Sequence, residues 1–315
     1  MKAKALQRRN SFLLVLAAFI WGIAFVAQSE GGKYGPYTFN GIRFLLGAAV
    51  LCPVILLVNR KNGSSGKKSS QEQKKTLLLG GISCGIILGF ASTLQQLALF
   101  YGSTAGKAGF LTTCYILIVP IIGLFFGKKC GWNIWVGIVL TLIGLYLLCM
   151  KGSFSLQLPD LLLLLCALGF SLHILCVDHF SPLADGIKLS CVQFLVAGIV
   201  SLIPAFFVDM QHSFANIPSM LATFAAPTAL ISLLYAGILS SGAGYTLQVV
   251  GQKELNPTVA SLLMSLESVF SVLGGWVILH ETMSGRELFG CVLIFIAVIL
   301  AQIPLEVFQR KAPKL

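Results

Sequence analysis

Charge is what this sequence has least of. Its 315 residues include 22 Lys and Arg and 11 Asp and Glu, 10% in all, where a soluble domain carries about a quarter. A chain so poor in charge and 57% hydrophobic has too little polar surface to face water, and a mean hydropathy of +0.89 makes lipid its solvent. Motifs of chemistry are missing as well. No GxxxxGK(S/T) is present to cradle nucleotide phosphates, which excludes ATP drive within the chain. There is no HExxH, GxSxG or clustered carboxylate set, so the usual signatures of membrane-embedded hydrolases are gone. The nine cysteines show no CxxC or Cys/His spacing and lie almost all in apolar runs, where they read as small hydrophobes. No metal site and no cofactor is expected.

What is present is a series of apolar runs. A bilayer core of about 30 Å needs roughly 20 apolar residues per helix, and ten runs of about that length fall at 11–30, 36–59, 76–101, 104–127, 132–150, 160–180, 186–209, 226–250, 257–279 and 287–305. They form two sets of five, residues 11–150 and 160–305, and an odd number of crossings per set makes the second run through the bilayer in the opposite sense. The basic residues sort by side. Seventeen of the 22 fall at Lys2–Arg9, Arg60–Lys75, Lys128, Lys129, Lys188, Lys253 and Arg310–Lys314, against Lys33, Lys151 and Arg286 on the other face. The positive-inside rule then places both termini in the cytoplasm. Topology accounts for the net charge of +11, and a nucleic-acid partner is not expected. Residues 1–27 imitate a signal peptide, but the apolar run is long for one and the ten-span count needs it, so retention is expected. Residues 59–75, rich in Ser, Gly, Gln and Lys, read as a flexible cytoplasmic loop.

Helix ends are marked by Asn256-Pro257, an N-cap with a first-turn proline, and by Ser284 with Glu287, a capping box. A shift of 153 positions superposes Thr93-Leu94-Gln95 on Thr246-Leu247-Gln248 and Gly137 on Gly290, and a shift of 150 puts Arg43-Phe44 on Gln193-Phe194. The repeat is faint but in order. The small-residue spacings Gly81, Gly85, Gly89 and Ser240, Gly244 read as sites where helix backbones approach closely.

Glu267 lies about ten residues into the ninth segment, near mid-bilayer at 1.5 Å per residue. An acid there costs on the order of 2.5–3.5 kcal/mol on insertion scales and must be protonated, paired or turned to a wet cavity. It is read as a coupling or substrate-contact carboxyl, with a buried structural hydrogen bond as the alternative. Arg43 is read either as a binding residue or partner of Glu267, or as a packing anchor. Lys107 is read either as a cavity residue or as a lysine close enough to its segment end to snorkel. Trp21, Tyr115, His173 and Tyr245 fall on the path as candidate lining residues, together with the amides Gln95, Gln193 and Gln248, which need partners in a dry interior. His173 alone makes no metal site.

The stretch from Asn256 to Phe270, with Leu273-Gly274 and His280-Glu281-Thr282 after it, resembles the ninth-helix pattern of the drug/metabolite transporter superfamily in its ten-helix EamA branch. Trp21-Gly22 with Phe25-Val26 resembles that family's first-helix motif and Arg43-Phe44 its second. The resemblance implies an all-α integral membrane fold of two inverted five-helix repeats around a central cavity, and transport, commonly export, of small metabolites. Family members often carry Pro after the midplane acid, where this chain has Ser268. The reading is a secondary or facilitative transporter in the cell membrane, its partners the bilayer and a small solute such as an amino acid, a nucleoside or an amphiphilic drug, and a monomer suffices. A membrane-embedded enzyme acting on lipid-linked substrates would need acid, base or metal ligands gathered at one interface, and a non-transporting scaffold or receptor would have no use for a buried Glu267 and Arg43.

Overall fold

The computed structural model describes residues 2–61, 70–103, 105–128, 130–149, 157–278 and 284–302. Most of the 59–75 loop, His280-Glu281-Thr282 and the basic C-terminal run lie outside these residues. In order, α1 is Lys2–Gly31, α2 Pro36–Lys61, α3 Gln71–Phe100, α4 Ala105–Thr113, α5 Tyr115–Phe125, α6 Trp132–Cys149, α7 Leu158–Phe180, α8 Gly186–Phe207 and α9 Ile217–Thr223. Then come α10 Pro227–Leu234, a π-helical stretch Tyr235–Tyr245, α11 Thr246–Gln252, α12 Pro257–Met264, α13 Leu266–Ile278 and α14 Gly285–Gln302. Seven helical stretches are long and apolar enough to cross a membrane, and Trp132–Leu148 and Pro257–Leu273 are shorter apolar helices. Their outer faces are apolar: Leu57, Phe90, Val139, Ile199 and Ile299 are each more than half exposed, a belt that only lipid satisfies.

Helix ends follow local chemistry. The Asn256 side chain accepts from the Thr258 N–H at 2.9 Å, and Ser284 and Glu287 form the reciprocal box expected of them. A second box, Ser70 with Gln73, starts α3 five residues before its apolar run. Pro36 opens α2, and the Asp209 carboxylate, just past α8, accepts the Thr38 N–H at 2.7 Å. This anion sits where the first-turn N–H groups of α2 have no helical acceptor.

Three of the apolar runs are interrupted, where the sequence reads them as continuous. The fourth breaks at Cys114 between α4 and α5, and the ninth at Ser265 between α12 and α13. The 153-residue offset carries Cys114 onto Glu267, so the breaks fall within two residues of each other in the two repeats. A hydroxyl turned back on its own helix stands at each: Thr113 Oγ1 donates to the Gly109 carbonyl at 2.6 Å and Ser265 Oγ to the Leu262 carbonyl at 2.7 Å, back-bonding of the kind that accompanies helix bends. Pro120 adds to the first by leaving the Ile116 carbonyl without its helical donor. The ninth-helix break thus forms with Ser268 in the proline position. The third interruption is the π-helical stretch in the eighth run.

Packing repeats from one half to the other. α2 packs on α8 and α6 on α14; α3 packs on α7 as α10, the π stretch and α11 pack on α1; α4 and α5 pack on α7 as α12 and α13 pack on α1. Exchanging the halves leaves this pattern unchanged. At the α6–α14 contact a Cβ on Gly144 would lie 2.8 Å from the Gly290 carbonyl oxygen, and one on Gly137 would lie 3.1 Å from that of Ala297. Rising numbers on α6 thus meet falling numbers on α14, so the two helices run antiparallel. Against α8, a Cβ at Gly85 of α3 would meet Val196 Cβ at 2.6 Å and the Gln193 oxygen at 2.7 Å. The Gly81, Gly85, Gly89 row is a packing ridge, as its spacing implies.

Two ion pairs bind α7 to the broken α4–α5 helix. Lys107 Nζ lies 2.7 Å from Asp160 Oδ2 at one end and Lys128 Nζ 2.7 Å from Asp178 Oδ2 at the other. Lys107 is therefore a structural cation rather than a snorkelling one or a cavity residue. Eight of the nine cysteines are described, all with free thiols; Cys84 and Cys176 touch at 3.3 Å between α3 and α7.

Candidate functional site

Between the halves lies a cavity with an empty volume of about 460 Å³, counting the part that opens to solvent. Its wall is built from helical faces: Trp21, Phe25 and Gln28 of α1, Gln95 of α3, Thr112 of α4, Tyr115 of α5, Phe170 and Ile174 of α7, Ser240 and Tyr245 of the π stretch, Gln248 of α11, Met264 of α12 and Glu267 of α13. Trp21, Phe25 and Gln28, Phe170 and Ile174, Tyr245 and Gln248, and Met264 and Glu267 keep the three-to-four-residue spacing that puts side chains on one face. The broken helices supply Thr112, Tyr115, Met264 and Glu267, so both interruptions fall at the cavity.

Glu267 is 6% exposed and points into this space. Tyr115 donates its hydroxyl to Oε1 at 3.2 Å; Thr113 Oγ1 lies 3.4 Å away and has its proton on the Gly109 carbonyl. Tyr115 is thus the one strong donor fixing the carboxyl, and no described side chain pairs with it as a cation. The carboxyl is thus held by one hydroxyl on one oxygen, and the other receives no hydrogen bond from the described residues.

Trp21 is seated by the interrupted eighth run. Its indole Nε1 donates to the Ser240 carbonyl at 3.2 Å, and a Cβ on Gly244 would stand 2.6 Å from that nitrogen. Ser240 and Gly244 therefore make a seat for an indole rather than a contact between helix backbones. The π stretch supplies the carbonyl. Tyr245 lies beside Trp21 with ring centroids 4.7 Å apart and the planes tilted by 54°. Gln95 and Gln248, equivalent in the repeat, both reach the cavity, and Gln95 Nε2 donates to Thr112 Oγ1 at 3.2 Å.

Of the ten residues singled out from sequence, Trp21, Gln95, Tyr115, Tyr245, Gln248 and Glu267 line this cavity. The other four do not. His173 and Gln193 are each other's partners, Nε2 to Oε1 at 3.1 Å, joining α7 to α8. Arg43, 1% exposed, does not pair with Glu267: its Nε donates to Asn40 Oδ1 at 2.9 Å and its guanidinium lies 4.6 Å above the Phe44 ring. Asn40 in turn donates to Thr93 of α3 and Ser201 of α8, so Arg43 anchors packing. Tyr245, flanked by Phe44, Phe194 and the His173 ring at about 6 Å, stands between this polar layer and the cavity. Lys107 is held by Asp160. Sequence reasoning missed Phe25, Gln28, Phe170, Ile174, Thr112, Ser240 and Met264. Phe25 and Gln28 stand four and seven positions after Trp21, and Met264 three before Glu267, so helical spacing from the polar anchors would have found them.

The comparisons with known proteins agree with this geometry. The model of the EamA-like transporter family matches residues 9–150 and 157–302, once for each half. An uncharacterized transporter of Archaeoglobus fulgidus is 27% identical over 92% of this chain and 84% of its own. A probable amino-acid metabolite efflux pump of Escherichia coli is 24% identical, covering 92% of this chain and 93% of its own. A crystal structure superposes with a TM-score of 0.72 at 17% identity over 96% of this chain and 99% of that one, a likeness of fold. With the family model matched across both halves and apolar helices long enough to span a bilayer, this chain belongs to the EamA-like transporter family, membrane transporters that cross the cell membrane several times.

Proposed function

We propose that the protein is a secondary transporter of small organic metabolites, built as ten spans in two inverted five-helix repeats (residues 11–150 and 160–305) with both termini in the cytoplasm. The cavity at Glu267 is the binding site and opens alternately to each side, with net export the working direction. The observation that carries this is the pair of helix breaks at equivalent places in the two repeats, Cys114 and Ser265, on either side of the one buried acid of the cavity. Interrupted helices at repeat-related positions are the pointer to a transporter site, because irregular backbone is tolerated at membrane depth only where it lines a cavity. The antiparallel contact of α6 with α14 supports inversion, and the sorting of basic residues supports the orientation. One five-plus-five bundle encloses the cavity, so a monomer suffices.

Glu267 is the coupling group: it releases its proton when the solute binds and takes one up when the solute leaves. The test is uptake into proteoliposomes, with and without a pH gradient, of labelled leucine, adenosine and an amphiphilic amine. The gradient changes flux of at least one solute in the wild type and not in Glu267→Gln. Equal response of both proteins removes Glu267 as the coupling site, and no flux of any solute above empty liposomes removes the transporter reading.

A further inference from the structure

We infer that the cavity is built for a protonated amine on an apolar body and against a carboxylate; the inference rests on reading this cavity as the transport site. The polar atoms of the wall divide into committed and uncommitted groups. Three donors on the wall are committed within the protein: the Trp21 indole to Ser240, Gln95 Nε2 to Thr112, the Tyr115 hydroxyl to Glu267. Three acceptors are not. Gln28 Oε1 and Gln248 Oε1 are buried without a partner, their side chains 5% and 2% exposed, and Glu267 Oε2 receives no hydrogen bond from the described residues. All three belong to residues that line the cavity.

Buried acceptors without donors are costly, and a ligand that brings N–H groups to them gains in proportion. An ammonium group carries three donors and a positive charge, which matches two amide oxygens and a carboxylate. The faces of Trp21 and Tyr245 add attraction for a cation and cover for an apolar body. A carboxylate finds the reverse. Among the described lining residues none is Lys, Arg or His; Arg43 lies outside the lining, with Nε on Asn40, its guanidinium over Phe44 and Nη2 buried without a partner. An amino acid entering this cavity therefore satisfies its ammonium end and strands its carboxylate. The substrate class that fits is the amine without the acid, as decarboxylation of an amino acid would supply.

The experiment is equilibrium binding to the purified full chain in detergent, with 2-phenylethylamine, phenylalanine and 3-phenylpropionate as probes that differ only in their charged groups. The amine binds at least about tenfold more tightly than phenylalanine, since an ion taken from water without a partner loses more than the roughly 1.4 kcal/mol that a factor of ten represents. 3-Phenylpropionate does not compete with it. The preference disappears in Glu267→Gln and survives in Glu267→Asp. Phenylalanine binding as tightly as the amine, with that affinity lost in Arg43→Gln, would show that the guanidinium is reached and overturn the inference, as would failure of the wild type to bind the amine. Flux is read separately. An amine that binds but is not moved by proteoliposomes above the leak of empty vesicles refutes transport and leaves the amine site standing; equal flux of amine and amino acid does the opposite.

Discussion

The ion pair between Lys107 and Asp160 makes the sharpest prediction about stability. Asp160 is 1% exposed and Lys107 22%, and the same carboxylate oxygen also takes the Gln157 N–H at 2.8 Å. Lys107→Met leaves that carboxylate buried with a backbone donor and no cation. Breaking a fully buried pair from one side costs about 3–5 kcal/mol. Partial exposure of Lys107 and the surviving Gln157 bond bring the expected loss to about 2–3 kcal/mol. The second bridge on the same helix pair, Lys128 with Asp178, is an internal control: its side chains are 43% and 13% exposed, and Lys128→Met costs under about 1 kcal/mol. The assay is denaturation in mixed micelles followed by tryptophan fluorescence, for the wild type, Lys107→Met, Asp160→Asn, the double variant and Lys128→Met. The double variant recovers most of the loss, with a coupling of about 1–2 kcal/mol, while solute binding is unchanged throughout. Equal losses from Lys107→Met and Lys128→Met, or strict additivity in the double variant, would refute the buried bridge.

Gly244→Ala puts a methyl group 2.6 Å from the Trp21 nitrogen, so it costs about 1–3 kcal/mol of overpacking, weakens solute binding and shifts the tryptophan emission, whereas Gly285→Ala, with nothing within 4 Å of its Cβ, leaves binding and emission alone. Asp209 answers to pH. Burial pushes its carboxyl above the ordinary range, against the pull of hydrogen bonds from Thr38 and the Tyr37 backbone. The folded chain therefore holds this proton to higher pH than the unfolded chain, and its stability falls as pH rises through the window between the unfolded value and the raised folded one. Asp209→Asn keeps an acceptor for the Thr38 N–H and removes that slope, so its thermal midpoint at pH 7 equals or exceeds the wild type and the gap closes on acidification; Asp209→Ala loses the cap and falls by about 1 kcal/mol.

Hydropathy carried much of this architecture into the sequence. Apolar runs, basic clusters and the caps at Asn256 and Ser284 depend on local composition, and the described helices follow them. The breaks at Cys114 and Ser265 were hidden because the back-bonded hydroxyls beside them, Thr113 and Ser265, are residue types that do the same inside unbroken helices, as Thr76 and Ser171 do. At the site, Glu267 stood out because an acid at mid-membrane is expensive wherever it points. Arg43 stood out for the same reason and means something else: depth alone does not tell an anchor from a binding group, and its partner Asn40, three residues away on the same face, was the sign of an anchor. Lys107 needed Asp160, 53 residues on, and no local pattern joins the two.

The repeat-related breaks let wall residues from both halves meet at Glu267; in the proposed mechanism a modest tilt of one half against the other changes which side the space between them faces.

Solvent access to the wall around Glu267 is the most direct measurement of this account. Single cysteines are placed at Gln95, Gln248 and Met264 and, for comparison, at the buried Leu262, which is absent from the lining, in a chain whose nine native cysteines are replaced by serine or alanine. A membrane-impermeant methanethiosulfonate is then applied to vesicles. The cavity positions react and a bound solute protects them, while position 262 stays unlabelled. If none of the three lining positions reacts from either face of the membrane, the carboxyl of Glu267 does not look onto a hydrated path and the proposal fails.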